Sequence, residues 1–324
     1  MANKTENILL NANVNPMKKI FIIFSLSLIS LWTTAQQQKT IQERLGYPKG
    51  TKLLIIHADD IGVSHSENMA SIFTMEKGVV NSGSIMVPCP WFPEIAAYFV
   101  AHPESDLGLH LTLTSEWKYF KWGPVASRSK VPSLLDEQGF LNEGLRALMQ
   151  NGKAEEVEIE LRAQIEKAIQ FGIKPTHFDA HMGGAVSTME FFEVLLKLGH
   201  EYKVPILIDR AREALFNNNL SILSDKDIVV DNLLIATGED YKKGMANYYT
   251  SALKALQPGL TCLLLHAAYD NEEMQAVTEG HVDYGSAWRQ ADVNFFTSEA
   301  CKKLLAEEKV RLVTWKEIRD KLIR

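Results

Sequence analysis

The sequence predicts an α/β protein whose parallel sheet closes into a β/α barrel of the TIM type, seven-stranded or distorted. Short apolar runs alternate with amphipathic helical stretches from residue 51 onward, a pattern typical of βα units. About seven or eight such units fit a barrel better than an open doubly wound sheet. The chain contains no Gly-x-Gly-x-x-Gly or Gly-x-x-x-x-Gly-Lys motif, which argues against nucleotide binding.

The predicted elements alternate along the chain. Strands are expected at residues 52–57, 83–87, 107–113, 176–179, 205–208, 228–234, 260–265 and 310–314. Helices are expected at residues 67–77, 92–102, 154–171, 188–202, 244–256 and 298–308. Residues 117–139 interrupt the alternation with aromatic, Pro, Gly and Ser residues, which predicts a long loop over the strand ends where substrate contacts tend to lie.

The N-terminal residues predict a secretory signal peptide. Lys18 and Lys19 precede an apolar run over residues 20–32, and residues 33–35 supply a small-residue cleavage site. The run is too short to span a membrane comfortably; the alternative is a buried N-terminal helix. We therefore expect upstream residues and a signal peptide at 1–35, a short linker at 36–50, one domain at 51–324, and a secreted or periplasmic protein.

The composition excludes several classes of protein. The net charge of -6 leaves no basic footprint for nucleic acid. The three cysteines, Cys89, Cys262 and Cys301, are scattered and odd in number, so they predict buried free thiols instead of a disulfide framework or a thiolate zinc site.

Two adjacent carboxylates end the first predicted strand. Asp59 and Asp60 repel each other unless a positive charge lies beside them. Neighbouring side chains point to opposite faces of a strand, but a bend at its end would let both reach one site. One carboxylate could then bind a metal while the other acts as a general base. The alternative is a pair that caps the next helix.

Histidines lie at the ends of two further predicted strands. A buried imidazole such as His110 costs free energy unless it is hydrogen-bonded or coordinated. Further along, alternation would place His177, Asp179 and His181 on one face, with Asp179 orienting a neighbouring imidazole. One carboxylate and two imidazoles predict a divalent-metal site with open positions. The alternatives are a satisfied core histidine and a polar strand end.

His266 and Arg210 follow two later apolar runs. His266 is a candidate general acid, because imidazole titrates near neutral pH. Arg210 could keep Asp59 ionised by pairing with it; the alternative is a surface pair with Asp209. The other histidines have no comparable context and are assigned no role: His57, His65, His102, His200 and His281.

These segments together resemble the YdjC-like carbohydrate deacetylase family, the chitooligosaccharide deacetylase group of the polysaccharide-deacetylase-like superfamily. The resemblance covers the chain from about Thr51 to Thr314. Each motif alone is weak, whereas the four in this order are specific. They are Ala58-Asp59-Asp60-Ile61-Gly62, Gly108-Leu109-His110-Leu111-Thr112-Leu113-Thr114, Pro175-Thr176-His177-Phe178-Asp179-Ala180-His181 and Leu265-His266.

The resemblance implies a β/α-barrel-like fold and roles for individual residues. The implied metal ligands are Asp60, His110 and His181. Asp59 would be the general base, His266 would protonate the leaving amine, and Arg210 would steady the base. His177 and Asp179 are expected to support the ligands from behind.

The chain departs from the family pattern at three places. His57 stands where the family usually has Asn, Met182-Gly183-Gly184 stands where it has further histidines, and Ala267 stands where it has Pro. The implied ligands are present despite these departures, but the substrate preference does not follow from the resemblance.

The predicted reaction is metal-assisted removal of an N-acetyl group from an amino-sugar oligosaccharide. The ligand types favour Zn²⁺, with Mg²⁺, Co²⁺, Ni²⁺ or Mn²⁺ as alternatives. The alternative functions are a metal-dependent esterase or amidase on another acetylated glycan, and a secreted glycan-binding protein with an inactive site. We expect no nucleic-acid partner and no stable membrane insertion, and the oligomeric state is left open, with a homodimer among the alternatives.

Overall fold

The structure is a computed structural model that describes residues 39–211 and 222–324. The predicted signal peptide therefore lies outside the described residues. Within them, the predicted alternation of strands and helices is confirmed. The strands are β1 Lys52–Ile61, β2 Ser82–Ile85, β3 Leu107–Leu111, β4 Phe178–Ala180, β5 Ile208–Asp209, β6 Val229–Val230, β7 Asn232–Leu234, β8 Gly259–Leu265 and β9 Arg311–Leu312.

The described helices cover the six predicted ones and include others that the sequence pattern missed. They are α1 Ile41–Leu45, α2 His65–Lys77, α3 Phe92–Ala101, α4 Leu145–Asn151, α5 Ala154–Gln170, α6 Met189–Tyr202, α7 Gly238–Lys243, α8 Met245–Ala255, α9 Glu272–Val277, α10 Ser286–Phe296, α11 Glu299–Glu307 and α12 Trp315–Ile318. As predicted, residues 117–139 form neither a strand nor an α-helix; they contain two short 3-10 turns.

The strands form a curled parallel sheet that makes a half-barrel, consistent with a TIM-like barrel. The strand order is β4-β3-β2-β1-β8-β7, and β9 pairs with the start of β1. Strands β5 and β6 form a separate parallel pair, and a bridge joins Phe178 to Ile206 beside it. Because all these strands run the same way, their C-terminal ends meet at one edge.

The two faces of β1 separate the core from the site. Alternate residues Leu54, Ile56 and Ala58 belong to the main apolar cluster, which also contains residues of the surrounding helices. Leu53 and Ile55 lie on the opposite face in a second cluster. Since side chains alternate along a strand, residues 57 and 59 continue that second face. The face is apolar at its start and becomes polar towards its C-terminal end, where the site lies.

The part of the chain predicted as a linker differs from that prediction. Residues 41–45 form α1, which Thr40 and Glu43 cap reciprocally at its N-terminus. Gln42 and Leu45 are buried, and Leu45 belongs to the second apolar cluster. The described part of 36–50 is therefore packed against the domain. The three cysteines are free and buried, as predicted. None of the helices in residues 39–211 and 222–324 has the length and apolarity needed to cross a membrane.

Gly108 in β3 is required by close packing against the neighbouring strand. A Cβ atom at this position would lie 2.5 Å from both the carbonyl oxygen and Cε1 of His177. We predict that Gly108→Ala lowers the free energy of unfolding by about 1–3 kcal/mol, because β3 and β4 would have to separate. Gly50→Ala is the control, since nothing lies within 4 Å of that position. Urea unfolding of both variants checks this; equal midpoints would contradict it.

Candidate metal centre and active site

A backbone irregularity brings Asp59 and Asp60 to the same cavity. The pairing of β1 with β2 shifts register between Ala58 and Ile61, and Asp60 has a φ of 62°. A left-handed conformation at a non-glycine residue costs about 1–3 kcal/mol and is concentrated at functional sites. The break in alternation lets both carboxylates line one cavity of about 490 Å³. A bend at the end of the strand thus lets both carboxylates reach one site, as predicted.

Two imidazoles converge on one oxygen of Asp60. His110 lies at the end of β3 and His181 directly after β4. His110 Nε2 is 3.4 Å from Asp60 Oδ1, and His181 Nδ1 is 3.2 Å from the same oxygen. Yet Asp60 Oδ1 accepts no hydrogen bond among the described residues. An unpartnered buried carboxylate oxygen facing two ring nitrogens fits a divalent cation, which would bind all three atoms.

Each of these imidazoles has a carboxylate at its other nitrogen. His110 Nδ1 lies 2.8 Å from Asp179 Oδ1, and His181 Nε2 lies 3.0 Å from Glu116 Oε2. In the neutral ring, such a carboxylate holds the proton on the nitrogen that it faces, so that the nitrogen facing Asp60 carries the lone pair that a metal needs. Asp179 therefore supports His110 in the way that the sequence predicts. Glu116 was missed, because it lies between the motif that ends at Thr114 and the loop predicted at residues 117–139.

The electrostatics of the centre suit cation binding. Burial raises the pKa of Asp60, but Arg289 and the two imidazoles outweigh it and hold that pKa well below its usual range. Burial lowers the pKa of His181, but Glu116 and Asp60 outweigh it and raise the value to about 9. The pKa of His110 is likewise raised well above its usual value by Asp179 and Asp59, against burial. The surrounding carboxylates therefore favour the protonated form of both imidazoles in the metal-free protein, and a metal would compete with those protons.

The cation that holds Asp60 comes from a helix that the sequence pattern did not predict. Arg289 in α10 is buried, and its Nη2 donates to Asp60 Oδ2 at 2.8 Å. Its Nη1 donates to Glu67 Oε1 at 2.6 Å and its Nε to the Tyr284 carbonyl oxygen at 2.7 Å. The contacts with Asp60 and Glu67 join residues 229 and 222 positions apart in the sequence, and the contact with Tyr284 closes an irregular turn. No local sequence pattern therefore predicts that Arg289 pairs with Asp60.

The expectation for Arg210 needs correction. Arg210 Nη2 forms an ion pair with Asp231 at 3.0 Å, and its side chain is 53% exposed. The residues that line the cavity include Asp209 but not Arg210. The described ion pair of Arg210 is therefore with Asp231, away from the cavity that Asp59 lines. The physical reason is that β5 ends with the Arg210 side chain directed to the neighbouring β6–β7 connection.

The positive group beside Asp59 is instead His57, to which the sequence analysis assigned no role. His57 Nε2 lies 3.1 Å from Asp59 Oδ1 and 2.9 Å from Asp179 Oδ2. Its Nδ1 lies 2.9 Å from Ser82 Oγ. Burial lowers the pKa of His57, but its hydrogen bonds to Asp179 and Asp59 outweigh burial and raise that pKa to about 9. The spacing of His57 and Asp59, two residues apart on one strand, was the signal available in the sequence.

His177 does not contact the candidate ligands. Its Nδ1 lies 3.0 Å from Thr176 Oγ1, and its ring stacks on Trp315 at 5.3 Å. The distance from its Nε2 to Asp179 Oδ2 is 4.0 Å. Burial lowers the pKa of His177 well below its usual value. It is therefore a neutral packing residue behind the site.

His266 lies near Oδ2 of Asp60, whereas His110 and His181 face Oδ1. It follows β8, lines the cavity, and has its Nε2 3.9 Å from Asp60 Oδ2. Its backbone N–H donates to Asp292 Oδ2, and its ring packs edge-on against Tyr284 at 5.1 Å. Burial lowers the pKa of His266 to about 4. The ring is therefore neutral at neutral pH.

The cavity is bordered by apolar and aromatic side chains. Trp117, Leu207, Leu233 and Ile235 are among them. A second, more polar cleft adjoins the cavity and shares Glu116 and His281 with it. Together the cavity and the cleft form a concave surface that is large enough for a small polar ligand with an apolar face.

In comparisons with known proteins, the chain matches one family model and is similar to bacterial carbohydrate deacetylases. A family model described as YdjC-like protein matches residues 53–307. A carbohydrate deacetylase of Thermus thermophilus is 33% identical over 286 residues, covering 86% of this chain and 98% of that protein. A carbohydrate deacetylase of Brevibacillus brevis is 29% identical over 272 residues, covering 82% and 99% respectively.

The fold also matches a solved structure. The crystal structure of a protein from Enterococcus faecalis, described as a cellobiose-phosphate cleavage protein, superposes with a TM-score of 0.70. Its sequence is 23% identical, and the match covers 83% of this chain and 99% of that one. At this identity the likeness concerns the fold, and it agrees with the half-barrel described above.

The raised pKa values predict that metal binding releases protons. The pKa of His181 is raised to about 9 and that of His110 is also raised, so both imidazoles favour the protonated form in the metal-free protein. Ligation requires neutral imidazole, so we predict that Zn²⁺ binding at pH 7.5 releases protons. Calorimetry in buffers of different ionisation enthalpy measures the number. The control variant is His65→Asn, because His65 is exposed and pairs with Glu94; its proton release should equal that of the unmodified protein. Proton release near zero in the unmodified protein would refute the prediction.

The buried position of Arg289 predicts a large effect on stability. Arg289→Met would remove the buried cation that pairs with both Asp60 and Glu67, which we expect to cost about 3–5 kcal/mol of unfolding free energy without metal. Added Zn²⁺ should recover part of this loss by compensating the Asp60 carboxylate. Arg210→Ala, at an exposed pair, should cost about 1 kcal/mol or less. Denaturant unfolding with and without Zn²⁺ tests both; similar losses in the two variants would contradict the assignment of Arg289.

Proposed function

Because the chain belongs to the YdjC-like protein family, we propose that it is a metal-dependent carbohydrate deacetylase that hydrolyses N-acetyl groups of amino-sugar-containing carbohydrates. The observation that carries the proposal is the convergence of His110 and His181 on the unpartnered oxygen of Asp60, beside a second carboxylate in one cavity. The names of the similar proteins from Thermus and Brevibacillus support a carbohydrate substrate.

The proposed metal ligands are Asp60 through Oδ1, His110 through Nε2 and His181 through Nδ1. Two imidazoles and one carboxylate favour Zn²⁺, with Co²⁺, Ni²⁺ or Mn²⁺ as alternatives and Mg²⁺ less suited to nitrogen ligands. A divalent metal held there would supply Lewis-acid chemistry: polarisation of an acyl oxygen and acidification of water. Arg289 keeps Asp60 ionised and ready to bind.

Asp59 is the proposed general base. It lines the cavity next to Asp60 and is 4% exposed. His57 and Ser84 hold its Oδ1 from behind at 3.1 and 3.5 Å. A carboxylate held in this way can accept the proton of the water that attacks the acetyl carbon. His57 thus supplies the steadying contact that the resemblance had given to Arg210.

His266 is the proposed general acid. Protonation of the departing nitrogen makes the amine a good leaving group. Because burial lowers the pKa of His266 to about 4, the ring must first take up a proton during the reaction. The proton that Asp59 removes from water is available for this step. Tyr284 packs against the ring and fixes its orientation.

We also propose that the protein acts on a glycan outside the cytoplasm. The support is the signal-peptide pattern of residues 17–35. The apolar border of the cavity can pack against the face of a sugar ring, while the carboxylates that line it can accept hydrogen bonds from hydroxyl groups.

Acetate release tests the proposed function directly. We expect the protein to release acetate from N-acetylglucosamine oligomers or peptidoglycan fragments, to lose activity with a chelator, and to regain it with Zn²⁺ or Co²⁺. Asp59→Asn should lower kcat about 10²–10⁴-fold while the metal content is unchanged, because it removes only the base. Release from O-acetylated sugars alone would favour the esterase alternative. Sugar binding without acetate release, indifferent to chelator, would favour a binding protein with an inactive site.

A further inference from the structure

We propose that Glu116 is the positioning residue for His181, holding the imidazole with Nδ1 towards the metal and thereby strengthening metal binding. The inference rests on the proposed function in one respect, namely that His181 is a metal ligand. It goes beyond that function by giving Glu116 a role that neither the family motifs nor the sequence pattern assigned.

The first support is the parallel between the two imidazoles. His110 has one nitrogen towards Asp60 and the other 2.8 Å from Asp179. His181 has one nitrogen towards Asp60 and the other 3.0 Å from Glu116. Each ring is thus held between the shared carboxylate and a carboxylate of its own. Partners of this kind fix the tautomer and the orientation of a metal-binding histidine.

The second support is the weak backbone restraint at His181. His110 lies within β3, which pairs with strands on both sides. His181 instead begins a 3-10 turn immediately after β4. The next two residues, Met182 and Gly183, have φ angles of 50° and 72°. Since sheet pairing does not extend to His181, its ring needs a side-chain partner to fix its orientation.

The third support is burial. The side chains of His181 and Glu116 are 4% and 16% exposed. A carboxylate so nearly removed from water is stable only with a partner, and the described contact of Glu116 with a ring nitrogen is the one with His181. Glu116 also lines both the cavity and the adjoining cleft. The carboxylate therefore lies at the edge of the site, on the far nitrogen of His181.

The test compares Glu116→Gln with the matched variant Glu279→Gln. Glu279 lines the same cleft, pairs with Lys118 at the surface and contacts none of the candidate ligands. Zn²⁺ affinity, measured by chelator competition, should be about 10–100-fold weaker in Glu116→Gln and unchanged in Glu279→Gln. The visible spectrum of the Co²⁺-loaded protein should change in Glu116→Gln alone, because a released ring alters the ligand field. Glu116→Ala should weaken binding further than Glu116→Gln.

Thermal unfolding of the metal-free variants separates positioning from folding. Glu116→Gln should unfold within a few degrees of the unmodified protein, so that the loss of affinity is not a loss of structure. A Glu116→Gln variant with unaltered Zn²⁺ affinity and Co²⁺ spectrum would overturn the inference, as would an equal loss in Glu279→Gln. Failure of the proposed function looks different: the unmodified protein would bind metal with the Glu116 dependence given above and yet release no acetate.

Discussion

Asp59, Asp60 and Asp179 lie together in a region from which water is nearly excluded, and their charges must be compensated for the protein to fold. Arg289 pairs with Asp60, while His57 lies between Asp59 and Asp179. Buried charges without partners cost several kcal/mol each. One atom, Asp60 Oδ1, makes no hydrogen bond in the described chain and faces the ring nitrogens of His110 and His181. This arrangement supports the proposal that the site binds a cation.

The half-barrel makes this concentration of charge possible. Parallel strands bring their C-terminal ends to one edge, so residues from β1, β3, β4 and β8 meet although they are far apart in the chain. The lower part of the same face is filled by apolar residues such as Leu53 and Ile55. The packed base anchors the strands, while the left-handed residue Asp60 ends the regular alternation of β1. Strand β1 therefore has a tightly packed N-terminal half and a strained backbone at Asp60.

Much of the fold and half of the site follow from local pattern. Apolar runs ending in His110 or in the pair Asp59 and Asp60 identify strands that end in ionisable groups, and the structure places them at one edge. The helix that carries Arg289 escaped prediction because its buried face contains Arg289 and Asp292 among apolar residues, which weakens the amphipathic signal. Arg210 was expected in the place that His57 occupies, because sequence order does not reveal which cation reaches a given carboxylate.

The sequence by itself determined the alternation of strands and helices and the family. The resemblance to that family also implied Asp60, His110 and His181 as ligands. The alternation and the family depend on periodicity and short motifs, which are local properties of the chain. Only the tertiary structure decided which charges are paired. Glu116 reaches His181 and Arg289 reaches Asp60 across 65 and 229 residues. Such pairings depend on how the strands curl and on how α10 packs against α2, α8 and α11. Electrostatic interaction acts through space, without regard to position in the sequence.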